Sequence, residues 1–203
     1  MKKIIALFAA TVMSTAAVFA DFSAGARAGV GINFFEFDDD IASSGDSKVK
    51  CGFTAAVFAD IDIPVVEGLV FQPEVVFARH VFVFDEGFEI EVTANTLDLP
   101  LLLGYKIKAG DSFTIMPFAG PRLSFNIGDI ELEAMGMNMS YEADNMVNFG
   151  ITAGVSASLN VGPGSVIFDV RYNRDFTTVE ANDGGKLGIY QTIDISAGYM
   201  IRF

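Results

Sequence analysis

The chain has 203 residues, of which 13 are basic, 26 are acidic and 51% are apolar, including 20 phenylalanines. So acidic a chain is a poor partner for nucleic acid and offers no polybasic surface to anionic lipid. Its single cysteine, Cys51, excludes a framework of internal disulfides. Strong acidity combined with so much apolar side chain is unusual for a soluble domain.

Residues 1–20 have the layout of a cleaved secretory signal peptide. Two lysines precede an apolar stretch over 4–13, and the segment ends in VFA, with small residues at the expected cleavage site. No later stretch approaches the roughly 20 apolar residues that a spanning helix needs. We therefore expect an exported domain of residues 21–203 without a helical anchor. This domain keeps 11 basic and 26 acidic residues, a net charge of −15.

Eight segments alternate apolar residues with polar or small ones, and this period of two is typical of β-strands. In chain order they are FSAGARAGVGINF (22–34), CGFTAAVFADIDI (51–63), LVFQPEVVF (69–77), TLDLPLLLGYKI (96–107), FTIMPFAGPRLSF (113–125), NFGITAGVSASLNV (148–161), VIFDVRYNRD (166–175) and TIDISAGYMIRF (192–203).

The connections between these segments alternate in length. Short turns follow the second, fourth and sixth strands, and long polar segments follow the first, third, fifth and seventh. Such alternation is typical of an up-and-down meander. We predict an all-β fold, an eight-stranded antiparallel up-and-down barrel that closes between its first and last strands.

The composition of the two strand faces distinguishes a soluble barrel from a membrane barrel. A lipocalin-like barrel turns its apolar face inward, whereas a membrane barrel turns it toward lipid around a polar lumen. Here the mixed face is dominated by Gly, Ser, Thr and Asn and carries no lysine, which a solvated exterior would be expected to have. Four arginines and six acids lie on this face, and we predict that they pair in a narrow lumen. These residues are Arg27, Asp60, Asp62, Glu74, Asp98, Arg122, Asp169, Arg171, Asp194 and Arg202.

Aromatic residues cluster near both ends of the apolar face, as in the interfacial belts of bilayer barrels. Those at the short-turn end are Phe22, Phe71, Tyr105, Phe113, Tyr199 and Phe203, and those near the long loops are Phe34, Phe125, Phe149 and Tyr172. We therefore predict a transmembrane barrel whose apolar face contacts outer-membrane lipid. Pairing of the last strand with the first would leave no exposed edge.

Four prolines, Pro73, Pro100, Pro117 and Pro121, lie inside predicted strands, where each removes a hydrogen-bond donor from the ladder. We expect local bulges or distorted pairing at these positions, and shorter strands than the alternation alone indicates.

Several of these segments resemble a known family. LVFQPEVVF, LDLPLLLGYKI and IMPFAGPRLSF, in this order, resemble signature segments of the small outer-membrane β-barrel family often called porin-like or PorT-like. VIFDVRYNRDF resembles the Asp–x–Arg–Tyr segment of its seventh strand, and the likeness covers nearly all of 21–203. The resemblance implies an eight-stranded barrel in the outer membrane of a diderm bacterium, and it implies little about activity.

The last residues resemble the signal that the outer-membrane barrel-assembly machinery reads. Tyr199, Ile201 and Phe203 alternate with polar or small residues and end on an aromatic side chain. The resemblance implies that the assembly machinery is a partner during biogenesis.

No motif indicates an enzyme or a cofactor. His80 is the only histidine, and no Ser, Glu or Asp stands at a telling spacing from it, so we expect a structural histidine. The acidic cluster FDDD at 37–40, with Asp46, has the oxygen ligands of a hard cation but lacks the spacing of a dedicated calcium loop. We expect a solvated acidic loop there.

Two functions stay open. Nine glycines on the mixed face would leave parts of the lumen uncrowded, which favours a narrow porin for small solutes or ions. Ten charged side chains would instead fill an eight-stranded barrel. We favour a mostly packed lumen and a structural or interaction role, in which acidic extracellular loops contact a partner of unknown identity.

Two loop segments carry apolar residues. Residues 81–84 (VFVF) are predicted to extend the third strand, while Met135, Met137 and Met139 either line the mouth or contact a partner.

Overall fold

The computed structural model describes residues 22–37, 51–85, 89–134, 137–142, 147–176, 179–180 and 186–203. The predicted signal peptide, and the acidic cluster beyond Phe37 together with Asp46, lie outside these residues. No helix in the described part of the chain is long and apolar enough to cross a membrane.

Eight long strands form the described barrel, and shorter ones extend it. In chain order the strands are β1 (Phe22–Phe37), β2 (Cys51–Asp62), β3 (Leu69–Asp85), β4 (Glu89–Tyr105), β5 (Ile107–Lys108), β6 (Phe113–Asn126), β7 (Asp129–Ala134), β8 (Met137–Glu142), β9 (Val147–Val161), β10 (Gly164–Asp175), β11 (Val179–Glu180) and β12 (Lys186–Arg202). The short strands β5, β7, β8 and β11 are additions to the sheet formed by the other eight.

The sheet closes into a barrel. Each long strand pairs antiparallel with the next, and β12 returns to β1 in a continuous register from Ser23 opposite Arg202 to Phe37 opposite Gly188. The predicted fold, a closed eight-stranded antiparallel barrel, is confirmed. Closure satisfies the backbone groups of both terminal strands, which an open sheet would leave unpaired.

The connections agree with the prediction at one end of the barrel only. The three short turns lie where they were expected, and the shortest, between β9 and β10, uses Gly162 at a φ of 62°. At the other end, strands extend into two of the segments that were predicted as loops. β3 continues through residues 81–84 to Asp85, as predicted for that segment, and β4 begins at Glu89. The predicted third loop contains the hairpin of β7 and β8.

The apolar face points outward. In β10, Asp169 and Arg171 are buried, whereas Phe168 and Val170 are 60% and 54% exposed. The same alternation runs along β6, and along β2 as far as Phe58. An outer surface rich in exposed apolar side chains around a polar interior is the arrangement of a membrane barrel.

The prolines interrupt the ladders without changing the register. Pairing lapses beside Pro73 between β2 and β3, beside Pro100 between β3 and β4, and beside Pro121 between β4 and β6. The register is the same on both sides of each lapse, and Pro117 lies in an unbroken ladder. The expectation of bulges or distorted pairing is confirmed in its second form. The expected shortening was wrong, since β3 and β4 each have 17 residues.

Candidate functional site: the barrel lumen

A quartet of charges lies at the centre of the lumen. Arg27 on β1 donates two hydrogen bonds to Glu74 on β3, from Nη1 to Oε1 at 2.9 Å and from Nη2 to Oε2 at 2.6 Å. Arg171 on β10 donates to Oε2 of Glu74 at 2.9 Å and to Oδ2 of Asp169 at 2.8 Å. Nε of Arg27 lies 3.3 Å from the same Asp169 oxygen. All four side chains are buried, so each charge is stabilised by the opposite charges beside it and not by water.

A second cluster lies around Arg122 on β6. Its Nη1 donates to Oδ2 of Asp98 at 3.1 Å, and its Nη2 donates to Asp175. Ser124 donates to the other oxygen of Asp98. Asp175 was absent from the predicted network, although it follows Asp169 and Arg171 on the same face in steps of two residues. The alternation alone was enough to find it.

Asp194 has an amide partner, whereas the acids of the quartet and of the Arg122 cluster have arginines. Asn173 donates to its Oδ2 at 2.6 Å, and Thr152 donates to Asn173 at 2.7 Å. Among the described residues nothing hydrogen-bonds to Oδ1 of Asp194 or to the hydroxyl of Ser196. Both residues line a cavity of about 20 Å³, which has room for about one water.

His80 lies toward the loop end of the lumen between an amide and a hydroxyl. Its Nδ1 is 3.2 Å from Oδ1 of Asn33, and its Nε2 is 3.0 Å from Oγ1 of Thr96. The histidine is buried, and these partners do not form the nucleophile, base and carboxylate arrangement of a hydrolase.

An apolar layer fills the lumen between the quartet and the short-turn end, and the prediction of a polar lumen missed it. The guanidinium of Arg27 lies 5.3 Å from the centre of the Phe58 ring, and that of Arg171 lies 4.9 Å from the Phe118 ring. The buried apolar side chains are Phe58, Val70, Leu102, Met116, Phe118, Ile167 and Met200. They stand on the mixed face, where the surrounding glycines and serines obscured them in the sequence.

Glycines make room for this layer. A Cβ on Gly25 would lie 2.5 Å from the Phe58 ring, and one on Gly154 would lie 2.7 Å from the Phe118 ring. At these positions the lumen is filled by aromatic rings from neighbouring strands. The expectation that the glycines leave it uncrowded was wrong there.

A lysine lies at the short-turn end of the lumen. Nζ of Lys106 lies 2.8 Å from Oδ1 of Asp62 and 3.5 Å from Oδ2 of Asp60, and Gln72 donates to Asp60 at 2.8 Å. The interpretation that no lysine joins the mixed face was therefore wrong. Of the ten predicted lumen charges, the structure buries eight, and it places Asp62 and Arg202 at this mouth.

The last residue of the chain contacts the first barrel strand. The backbone N–H of Phe203 donates to the carbonyl of Phe22 at 3.0 Å, and the two rings stack at a centroid distance of 5.1 Å. The hydroxyl of Tyr199 donates to the carbonyl of Val161 at 2.9 Å. Tyr199 and Ile201 are exposed on the outer face.

No group of three His, Cys, Asp or Glu side chains within the described ranges is arranged to hold a metal ion. The acidic cluster at 38–40 with Asp46 is outside those ranges.

Comparison with known proteins identifies a family and a fold. The sequence matches the family described as outer membrane protein beta-barrel domain over residues 13–180. None of the curated proteins compared with the chain matches it. A major outer membrane protein from Thermus thermophilus is 17% identical with a TM-score of 0.50, and the match covers 89% of this chain and 99% of that one.

Two further barrels are similar in structure. OprG from Pseudomonas aeruginosa is 9% identical with a TM-score of 0.49, and the match covers 91% of this chain and 96% of that one. The outer membrane enzyme PagL is 16% identical with a TM-score of 0.44, and the match covers 90% of this chain and 99% of that one. At these identities the likeness shows the fold alone, so it does not decide between an enzyme and a non-enzymatic barrel.

Proposed function

Because the chain belongs to the family of outer membrane protein beta-barrel domains, we propose that it is a closed outer-membrane scaffold whose loop-side surface makes its contacts. Its lumen holds the barrel together through buried ion pairs and passes no solute. Residues 1–20 are removed on export, and the protein is non-enzymatic.

The packing of the lumen carries this proposal. The two enclosed cavities described inside the barrel have volumes of about 20 Å³ each, enough for about one water apiece. One lies in the polar half and the other beside Phe58 and Met116 in the apolar half. The charged quartet and its aromatic neighbours stand between the two halves, and a hydrated ion would have to displace both.

The surroundings of the candidate chemical groups support a role other than catalysis. His80 faces an amide and a hydroxyl, and the buried acids face arginines, an asparagine or, at Asp60, a glutamine and a lysine. A hydrolytic site needs an accessible nucleophile beside its base. These lumen groups are instead engaged in one another's hydrogen bonds.

The test is single-channel conductance of refolded residues 21–203 in a planar bilayer, after a gel-mobility difference between boiled and unboiled samples has shown folding. We expect a folded and electrically silent protein. Arg171→Ala should lower stability because it leaves Glu74 and Asp169 short of a partner. Arg202→Ala, which removes an exposed arginine, is the matched control and should change little.

The alternative is a narrow porin. It is favoured by the oxygens of Asp194 and Ser196 that lie beside a cavity and have no hydrogen-bond partner among the described residues. Discrete conductance steps that scale with salt would establish this alternative and refute the closed scaffold. In that case Arg122→Ala and Arg171→Ala should mainly alter conductance or ion selectivity.

A further inference from the structure

Four buried oxygen atoms on two neighbouring lumen strands have no hydrogen-bond partner among the described residues. They are Oδ1 of Asp169 on β10 and Oγ1 of Thr192, Oδ1 of Asp194 and Oγ of Ser196 on β12. Their side chains are between 1% and 7% exposed. Buried polar groups in folded proteins nearly always have a partner, so four such oxygens in one part of the lumen wall indicate a ligand that they bind.

The register of the strands brings these oxygens to one part of the wall. Thr192, Asp194 and Ser196 are successive lumen-facing residues of β12, and Asp169 lies opposite Ser196. Gly31 on β1 lies opposite Asp194, and a Cβ there would lie 2.5 Å from Oδ1 of that aspartate. Asp194 and Ser196 both line the cavity of about 20 Å³. The site therefore combines oxygen ligands with room for one small ligand.

The charges buried around this cavity do not balance. On the loop side of the apolar layer, the described part of the lumen buries three arginines against five acids, an excess of two negative charges, and a protonated His80 would still leave one. All three arginines line the cavity, but each donates to acids other than Asp194. Arg79 and Arg174 alternate with lumen residues and point outward. An uncompensated charge is costly to bury in a barrel surrounded by lipid, so this part of the lumen favours a bound cation. The arginines are Arg27, Arg122 and Arg171, and the acids are Glu74, Asp98, Asp169, Asp175 and Asp194.

A small monovalent cation fits this site better than water or a divalent cation does. A water molecule could donate to two of the oxygens but would leave the excess charge in place. Ca²⁺ takes about six to eight oxygen ligands and Mg²⁺ keeps several of its waters, whereas the cavity has room for about one water. Carboxylate and hydroxyl oxygens are ligands that hard cations prefer. An ion of single charge and of about the size of a water molecule meets these conditions.

We propose that Asp194 and Ser196 bind one alkali cation of the size of sodium inside the lumen, with Asp169 and Thr192 beside it. The ion offsets one of the two excess negative charges. It is held within the closed lumen and does not pass through it, so the inference goes beyond the proposed function. Because the ion binds the folded barrel and not the unfolded chain, it stabilises the folded state.

The experiment is a urea titration of refolded residues 21–203 in which sodium chloride is replaced stepwise by choline chloride at fixed ionic strength. Unfolding and refolding in urea equilibrate the lumen with the buffer. We expect the unfolding constant to fall as sodium rises, by about tenfold at a sodium concentration of about ten times the dissociation constant. The limiting slope should correspond to one ion per molecule. Caesium has the same charge but is too large for the cavity and should have a much weaker effect.

Matched variants locate the site. Asp194→Asn keeps the shape of the side chain but removes its charge, and should make the unfolding constant independent of sodium. Ser196→Ala removes one oxygen ligand and should shift the sodium dependence to higher concentration. Glu67→Gln removes a carboxylate from an exposed turn and should keep the dependence of the unmodified protein.

Three results would overturn the proposal. Equal unfolding constants in sodium and in choline would mean that the lumen binds no alkali cation and that protons balance its charge. Equal effects of sodium and caesium would mean that the cation acts outside the cavity. A sodium dependence that Asp194→Asn leaves unchanged would place the ion elsewhere. The first two results need no variant, so they stand even where a substitution prevents folding.

Discussion

At the scale of single residues, Glu74 is the acceptor that two lumen arginines share. Its two oxygens accept three hydrogen bonds, from Arg27 on β1 and Arg171 on β10. Glu74→Gln removes the charge with little change of shape and leaves two buried guanidiniums facing Asp169. Removing one partner of a buried ion pair typically costs about 3–5 kcal/mol. We expect a loss of unfolding free energy of that order, measured by urea titration of the refolded barrel.

The matched control for this change is Glu67→Gln in the exposed turn between β2 and β3. It removes the same charge from the same residue type and should shift the urea midpoint very little. Equal effects of the two variants would mean that overall charge, rather than the quartet, determines stability.

At the scale of strands, the alternation of side chains predicted the barrel strands and their faces but missed the apolar layer and one short strand. It located all eight barrel strands and the lumen face, because lipid on one side and a narrow interior on the other impose a period of two. It missed the apolar layer because Phe58 and Phe118 pack against arginines inside the same face. It also missed β7, whose apolar residues alternate on the face that continues the lumen.

The ends of the strands were harder to predict for a different reason. Asp62 and Arg202 occupy lumen-face positions in the alternation but lie at the mouth, where solvent reaches them. Lys106 has the same alternation and reaches inward to Asp60. The sequence therefore predicts which face of the sheet a side chain lies on. Its position along the barrel axis depends on strand tilt and register, which the alternation does not encode.

The last strand allows a test of the assembly signal. Phe203→Ala removes a stacked pair worth about 0.5–1.5 kcal/mol beyond area burial, so the refolded barrel should be only modestly less stable. If the assembly machinery reads Tyr199, Ile201 and Phe203, the amount of protein in the outer membrane of a Gram-negative host should fall much further than this stability loss predicts. Cell fractionation and urea titration give the two quantities.

Tyr105→Ala is the control for this test, because it removes another exposed aromatic side chain from the same end of the barrel. Its membrane level should follow its stability in vitro. The signal hypothesis fails if both variants lie on one line relating membrane level to stability.

At the scale of the whole molecule, a closed lumen should exclude small reagents as well as ions. Cys51 is the only cysteine and is exposed on the outer face, so Cys51→Ala gives a background for labelling. Ser196→Cys then places a thiol beside the cavity of about 20 Å³ next to Asp194. Ser112→Cys places one in an exposed short turn as the control.

A membrane-impermeant maleimide should label Ser196→Cys at least about a hundredfold more slowly than Ser112→Cys, since an opening that costs about 3 kcal/mol reduces the accessible population by that factor. Labelling of both at similar rates would show a water path through the lumen and contradict the closed scaffold. Protection that disappears on unfolding in urea would instead show that the packing of the lumen excludes the reagent.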